Sequence, residues 1–356
     1  MSSHVFFLSK FLRRKLIILA TLLFILVLLI PLASSIGFGG MAFLDFWRLV
    51  LGLEVAELDR VVLWLRLRRV LVGVLVGGLL GGAGVIAQAV YRNPLASPFT
   101  LGISHAAALG VAIALITGYA GRSYPLFYIV SRPYILPVMA FIFSLIQSLI
   151  VLLLAFRVGL TPNALVLSSI ALSFLYQSLL SLIQYLVLNE LQLATIVFWS
   201  FGDLSRPGDV ELLILIIGSI PIILAYMLIH VDLDIILLGD DLAISSGINP
   251  RTFRLVATIT ASLGASLATS FVGVLAFLCL LSPHIARGLV GGSHKYLMPA
   301  SIITGSILVV VADLFSRILL YPITLPVGIT LSMMGAPLLI ILLRGTRYGG
   351  HKDTWS

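Results

Sequence analysis

Charged residues are scarce in this 356-residue chain, and their scarcity excludes whole classes of protein. Asp, Glu, Lys and Arg together make up 10% of the residues, whereas a soluble globular domain carries roughly 25%. A soluble protein of this length needs a charged surface, and the chain has too few charges to cover one. The sequence therefore argues against a cytosolic enzyme, a nucleic-acid-binding protein and a disordered chain.

Cysteine and lysine are nearly absent as well. Cys279 is the only cysteine, so the chain can form neither an internal disulfide nor a cysteine-based metal site. No lysine follows a glycine, so the Gly-Lys pair of a phosphate-binding P-loop is missing. The HExxH and GxSxG motifs of hydrolases are missing too. We therefore predict no ATP hydrolysis by this chain, no catalytic residues and no bound metal or other cofactor.

Long apolar runs are what the chain has in abundance. Hydrophobic residues make up 60% of it and the mean hydropathy is +1.17. The runs are continuous rather than alternating, and a spanning helix needs about 20 such residues. The sequence predicts an all-α polytopic membrane protein, folded as one transmembrane domain with about ten helices. The predicted spans are residues 16–36, 70–91, 99–121, 133–156, 162–188, 212–231, 255–272, 273–288, 298–319 and 326–343. Residues 191–202 are too short to span and are predicted to form a surface or re-entrant helix.

Basic residues at both ends of the chain predict its orientation. Lys and Arg are enriched in cytoplasmic segments, so both termini are predicted to be cytoplasmic, which requires an even number of spans. Residues 232–254 then form the longest cytoplasmic loop, and Arg66 to Arg69 lie outside, where positive charge needs a reason. The N-terminus also resembles a signal peptide, but its apolar run favours a retained first span. The terminal basic residues are Lys10, Arg13, Arg14, Lys15, Arg344, Arg347 and Lys352.

Glycines recur at helical spacing in the second predicted span. Gly73, Gly77, Gly81 and Gly84 share one face, and Gln88 continues it. Small residues let helix backbones approach closely in lipid. The stripe predicts tight helix packing, with Gln88 placed to hydrogen-bond to a neighbouring helix.

A series of motifs follows this span and resembles a known family. The residues of these motifs include Gln88, Asn93, Pro94, Leu238, Gly239, Asp240, Gly247, Pro283, His284, Arg287, Asp313, Arg317, Pro326 and Gly328. In their order and at their intervals between residues 16 and 344, they resemble the FecCD or cobalamin-type permeases of ABC importers, which take up iron-siderophores, haem and cobalamin. Two segments depart from that family, which usually has Arg-Leu-Pro-Arg where this chain has Arg66-Leu67-Arg68-Arg69, and Gly-Ala where it has His105-Ala106-Ala107.

The resemblance implies an assembly in the cell membrane. It implies a homodimer of ten-span subunits, two ATP-binding subunits on the cytoplasmic face and an extracytoplasmic substrate-binding protein. ATP and Mg would be bound by the partner, which agrees with the missing P-loop, and nucleic acid is not an expected partner. The implied function is inward movement of a metal chelate, with iron-siderophore first and haem or cobalamin next.

Three arginines are the implied docking residues for the binding protein. Arg66, Arg69 and Arg317 match positions that receive carboxylates from its two lobes, and a guanidinium binds a carboxylate bidentately. The alternative is anchoring of these arginines to lipid phosphate. Asp313 and Arg317 are four residues apart, so they are also predicted to pair with each other on one helix.

The loop 232–254 is predicted to contain a short amphipathic helix. Its apolar residues lie beside aspartates, and such a helix suits a groove on a partner. The resemblance makes it the helix that couples the permease to the ATP-binding subunits; the alternative is a solvated charged loop. The residues assigned to coupling are Leu238, Gly239, Asp240, Leu242, Ala243 and Gly247.

The fifth predicted span carries a polar stripe. Its residues are spaced by about four and lie in a helix otherwise rich in Leu and Ile. We predict that the stripe lines the translocation path, and the alternative is hydrogen bonding between helices. The residues are Ser169, Ser173, Gln177, Ser181 and Gln184.

Two other functions remain open from the sequence. An ion-coupled secondary transporter would bury coupling carboxylates near the membrane midplane. Only Asp313 meets that description, and Arg317 is its predicted partner. An intramembrane enzyme would need a catalytic pair, which is missing, and the lone histidines His105 and His284 are interpreted as structural.

Overall fold

The chain folds into a bundle of helices. The computed structural model describes residues 2–36, 46–48, 51–53, 57–119 and 132–348. Within those ranges no β-strand forms, apart from one isolated bridge between Leu320 and Ile323. The helices are α1 (Ser2–Ser35), α2 (Glu57–Val90), α3 (Ile103–Tyr119), α4 (Arg132–Arg157), α5 (Pro162–Leu186), α6 (Glu190–Ser200), α7 (Asp209–Leu228), α8 (His230–Leu237), α9 (Asp240–Ser245), α10 (Pro250–Val272), α11 (Leu278–Val290), α12 (His294–Ile318) and α13 (Val327–Tyr348).

Ten of these helices occupy the ten predicted spans. By length and composition seven can cross a membrane, namely α1, α2, α4, α5, α7, α10 and α12. The apolar helices α3, α11 and α13 are shorter. The all-α polytopic fold predicted from the apolar runs is confirmed. The orientation prediction depends partly on Lys352 and on the side chains of Lys10, Arg344 and Arg347, which lie outside the described residues.

The second predicted span begins well before its predicted first residue. It was expected at residue 70, and α2 begins at Glu57. Arg66, Arg68 and Arg69 looked like the flank of a span, but they lie inside the helix and make hydrogen bonds or ion pairs within the protein. Arginine is a good helix former, so the charges do not end the helix once they are paired.

The predicted loop 232–254 is also mostly helical. It contains most of α8, all of α9 and the start of α10. The side chain of Asn249 accepts hydrogen bonds from the backbone of Arg251 and Thr252, and Pro250 follows as the first helical residue, so α10 starts there. The predicted short helix at 191–202 is α6.

Helix α2 lies at the centre of the bundle. Its apolar window is 83% buried, against 17% for α1. A Cβ at Gly77 would lie 2.5 Å from the carbonyl oxygen of Gly305 in α12, and one at Gly84 would overlap the carbonyl of Cys279 in α11. The glycine stripe therefore brings backbones into direct contact, which confirms the packing interpretation.

The end of α6, the end of α10 and the start of α13 lie next to one another. The Gly202 backbone, after α6, adopts a φ of +73°, and Gly273, after α10, one of +86°. The Asp203 amide donates to the Val272 carbonyl over 2.8 Å, and the Gly328 amide donates to that of Gly202 over 3.3 Å. These contacts hold Asp203 close to Arg69 of α2.

Candidate functional site

A buried carboxylate joins α2 and α12 at one end of the bundle. The Asp313 side chain is 1% exposed. Its Oδ1 lies 2.6 Å from Arg69 Nε, and its Oδ2 lies 2.9 Å from Arg317 Nη2. The predicted pair of Asp313 and Arg317 is therefore present, and Arg69 is a third member that the sequence did not reveal. We call Arg66, Arg69, Asp313 and Arg317 the Asp313 cluster.

The arginines of the Asp313 cluster also contact α1 and the α6–α7 connection. Arg317 Nη1 donates to the Ile36 carbonyl over 2.8 Å, and Arg66 Nη1 donates to that of Ser35 over 3.1 Å. Arg69 Nη1 lies 3.8 Å from Asp203 Oδ1. Arg66 and Arg317 are each 8% exposed, so within one subunit they face protein more than solvent. Docking of a binding protein on these three arginines stays a prediction.

Arg68 behaves differently from its neighbours. It forms a 2.8 Å ion pair with Asp209 at the start of α7, and Trp64 Nε1 donates to the same carboxylate over 2.9 Å. The Asp209 side chain is 63% exposed. The Arg68 side chain is 18% exposed, so the charge that replaces the family's usual proline is largely covered and pairs with a carboxylate at the surface of the bundle.

A second carboxylate organises the opposite end of α2, about 30 Å away along the helix. Asp240 is the first residue of α9. Arg254 in α10 binds it through two hydrogen bonds, from Nη1 to Oδ2 over 2.9 Å and from Nη2 to Oδ1 over 2.5 Å. Arg92, just after α2, donates from Nη2 to Oδ1 over 2.6 Å. The Arg254 hydrogen bonds lower the pKa of Asp240, with partial burial opposing them and the charges of Arg254 and Arg92 adding to the decrease.

Asp240 was assigned to coupling, whereas Arg92 and Arg254 were not singled out as site residues. The available signals were weak. Arg92 directly precedes the Asn93-Pro94 motif, and Arg254 is the second of two arginines that follow the acidic segment. Neither signal says which carboxylate an arginine would bind, because that depends on the packing of α2 against α8 and α10.

Helix α9 presents an apolar surface. Glycines in the left-handed region flank it, with φ of +130° at Gly239 and +84° at Gly247. Leu238 is 70% exposed, Leu242 53% and Ile244 62%, whereas Ala243 is fully buried. The sequence predicts Ala243 to be part of this apolar patch, and that prediction is wrong. Ala243 lies on the side of α9 that faces the bundle, so it is not part of the exposed patch. A groove of about 800 Å³ adjoins the helix, lined by residues of 158–161 and 247–251.

A histidine and an aspartate join α8 to α12 near the same end. The Asp234 carboxylate accepts the His294 backbone N–H over 3.0 Å, and its Oδ1 lies 2.6 Å from His294 Nδ1. Burial raises the pKa of Asp234, but the hydrogen bonds from His294 outweigh it and the net pKa is lowered. Neither residue stood out in the sequence. Asp234 takes the place of a side-chain cap at the start of α12.

The polar stripe of α5 does not stay on one side of the helix. Ser169 is buried and its hydroxyl donates to the Leu165 carbonyl, and Ser173 Oγ donates to the Ser169 carbonyl over 2.7 Å. Gln177 and Ser181 are exposed. A spacing of four residues advances by about 40° beyond a full turn, so the stripe winds away from the core. It therefore faces the outside of the single subunit over much of its length, and its role in translocation stays a prediction.

The remaining motif residues hold the turns around α2 and α11. Arg287 Nη2 donates to Gln88 Oε1 over 2.9 Å, which is the contact between helices expected of Gln88. Asn93 Oδ1 accepts the Leu95 amide in the turn that contains Pro94. Pro283 lies inside α11, and His284 beside it is partly buried. Pro326 precedes α13 and accepts amides of its first turn. Among the described residues no group of three His, Cys, Asp or Glu could hold a metal ion.

Seven helices that are long and apolar enough to cross a membrane define the class as a multi-pass membrane protein. The chain belongs to the FecCD transport family, which matches residues 23–345. FecD of Escherichia coli K12, a permease protein of the Fe(3+) dicitrate transport system, is 36% identical over 282 residues, covering 78% of this chain and 83% of FecD. YfmE of Bacillus subtilis 168, a permease protein of the Fe(3+)-citrate import system, is 32% identical over 335 residues, covering 93% and 96%. The predicted family is confirmed.

A solved structure supports the fold. It is described as a metal-chelate type ABC transporter in an inward-facing conformation, and it matches 93% of this chain and 99% of its own with a TM-score of 0.78 at 24% identity. The ABC permease family implies ATP-binding partner subunits and a dimeric arrangement.

Proposed function

We propose that this chain is the membrane permease subunit of an ABC importer that moves ferric chelates into the cell. The observation that carries the proposal is α9, a short helix with an exposed apolar surface that a buried arginine holds against the bundle. An exposed apolar helix at the end of a membrane protein suits a groove on a partner. Within this family the partner is an ATP-binding subunit.

The partners of the proposed complex follow from the surfaces of the subunit. Two ATP-binding subunits, which carry ATP and Mg, contact α9 of two permease copies. The side of α5 on which Gln177 and Ser181 are exposed faces the second copy and lines the path. A binding protein docks at the Asp313 end, which is extracytoplasmic, and both termini are cytoplasmic. This orientation is supported by the basic residues near the N-terminus.

Ferric chelates are the proposed cargo for two reasons. Both relatives described above belong to iron-citrate systems. The hydroxyl and amide groups of the α5 stripe also suit a large polar complex that must be released again, because they offer hydrogen bonds without charge.

An ion-coupled secondary transporter is less well supported. Such a transporter needs a carboxylate that binds and releases its coupling ion. Asp313 is the carboxylate best placed for this in the sequence, and two arginines neutralise it. A carboxylate held in this way is poorly suited to exchanging ions.

The experiment that tests the cargo uses the reconstituted complex with its binding protein. Uptake of radiolabelled ferric citrate, a ferric siderophore, haem and cobalamin into proteoliposomes would be compared at equal concentration. We expect ferric chelates to be taken up and to stimulate ATP hydrolysis. Uptake of haem or cobalamin alone would contradict the proposed cargo while leaving the permease function intact.

A further inference from the structure

The short helix α9 is held to the bundle by one carboxylate. Asp240 receives three charged hydrogen bonds, two from Arg254 on α10 and one from Arg92 at the end of α2. The Arg254 side chain is 1% exposed, whereas that of Asp240 is 41% exposed. A fixed, buried guanidinium therefore reaches out to a carboxylate on a surface element.

Arg92 also bridges the joint between α8 and α9. Its Nη2 donates to the Ile236 carbonyl in the last turn of α8 over 2.8 Å, as well as to Asp240 at the start of α9. The flexible Gly239 lies between these two contacts. The backbone of Arg92 has a φ of +49°, a conformation that residues other than glycine rarely adopt. The side chain of Arg92 thus spans Gly239, one of the two glycines at which α9 could pivot.

We propose that Arg92, Asp240 and Arg254 form a latch that makes α9 move as one body with α2 and α10, so that a displacement of α9 reaches the centre of the bundle. The proposal rests on the proposed function, because it assumes that ATP-binding subunits contact α9. Without the latch, α9 would pivot at Gly239 and Gly247 and the displacement would be lost. The three residues are positioning residues, since none of them needs to touch the cargo or the nucleotide.

The matched control is the neighbouring carboxylate. Asp241 lies on the same turn of α9, is exposed and carries the same charge. Its backbone carbonyl accepts the Ser245 hydroxyl, which does not depend on its side chain. Asp240→Asn and Asp241→Asn therefore make the same chemical change on the two sides of α9, and only the first removes the latch.

The test is the number of ferric chelate molecules transported per ATP hydrolysed, measured in proteoliposomes holding the full complex. For Asp240→Asn we expect this ratio to fall about tenfold while the complex still assembles and hydrolyses ATP. Asp241→Asn should keep the wild-type ratio. A merely structural role would lower transport and ATP hydrolysis together and leave the ratio unchanged, which would overturn the latch.

A second variant keeps the proposal testable if Asp240→Asn prevents assembly. Arg92→Gln leaves the buried Arg254 pair in place and opens only the bridge across Gly239, so we expect a smaller fall in the ratio. A wild-type ratio in Arg92→Gln would overturn the latch. Where the Asp240→Asn complex does assemble, adding Arg92→Gln should cause little further loss, because the bridge from Ile236 across Gly239 to Asp240 is already broken. If the wild-type complex shows no ATP-dependent uptake, the proposed function fails instead.

Discussion

Asp313 and Asp240 both pair with arginines, but their roles differ because their surroundings differ. Asp313 is almost completely buried and forms ion pairs with two arginines inside the bundle. Asp240 is partly exposed and connects a surface helix to a buried arginine. Substitution of Asp313 should therefore chiefly lower the stability of the subunit, whereas substitution of Asp240 should chiefly weaken its coupling to the ATP-binding subunits.

Replacing Asp313 should destabilise the subunit. Asp313→Asn leaves Arg69 and Arg317 buried without their carboxylate, and breaking a buried ion pair costs about 3–5 kcal/mol. Thermal unfolding of the purified subunit in detergent would measure the loss. Arg68→Ala is the control, since it removes an exposed ion pair and should change the melting temperature little. Equal melting temperatures for wild type and Asp313→Asn would contradict this account of the Asp313 cluster.

The pH dependence of Asp240 has a definite sign. Its pKa in the folded protein is lowered below the ordinary 3.8, chiefly by the Arg254 hydrogen bonds. The stabilisation from this carboxylate is therefore fully present above its ordinary pKa and is lost only as the pH falls through the lower, folded value. The difference in melting temperature between wild type and Asp240→Asn should stay constant from about pH 7.5 to about pH 5. If wild type and Asp240→Asn melt at the same temperature throughout this range, Asp240 is not held by its arginines.

At the scale of elements, the sequence predicts which segments are helical better than it predicts where they end. Apolar length locates the spans because each must cover a membrane thickness. The start of α2 was misplaced because Arg66 and Arg69 are satisfied by Asp313 and by α1, contacts that arise only on folding. The side of α9 that Ala243 occupies, and the winding of the α5 stripe, likewise depend on packing. The partners of Arg92 and Arg254 lie on other helices, so no local pattern reveals them.

Packing of α2 against α11 gives a prediction for that element. A Cβ at Gly84 would overlap the Cys279 backbone, which cannot move as a side chain can. Gly84→Ala should therefore destabilise the bundle by about 1–3 kcal/mol through overpacking. Gly288→Ala is the control, since a Cβ there meets nothing within 4 Å. Chemical unfolding of both variants would compare them, and equal stability would show that α2 and α11 are not in backbone contact.

At the scale of the whole molecule, the proposed complex assigns partners to two exposed surfaces of the subunit. They are the apolar side of α9 and the exposed length of α5. The proposed complex covers the first with an ATP-binding subunit and places the second between two permease copies. The cargo has the weakest signature in the sequence, because neutral hydroxyls and amides do not encode one ligand.

The α5 stripe gives a prediction about the translocation path. Gln177→Leu should slow uptake severalfold while the complex assembles and hydrolyses ATP normally, because a polar group is lost from the path. Ser178→Leu changes the adjacent exposed position and should have less effect. Uptake rates of the two variants, measured at equal complex concentration, test whether Gln177 lines the translocation path or only packs between helices. Loss of assembly in Gln177→Leu would favour packing.

The central claim is that ATP hydrolysis on a partner drives transport through this chain. The most direct measurement is ferric chelate uptake into proteoliposomes, with or without the ATP-binding subunits, and with either MgATP or an imposed proton or sodium gradient as the energy source. We predict uptake only when the ATP-binding subunits, MgATP and the binding protein are all present. Gradient-driven uptake by the chain alone, without ATP-binding subunits, would contradict the account and identify a secondary transporter.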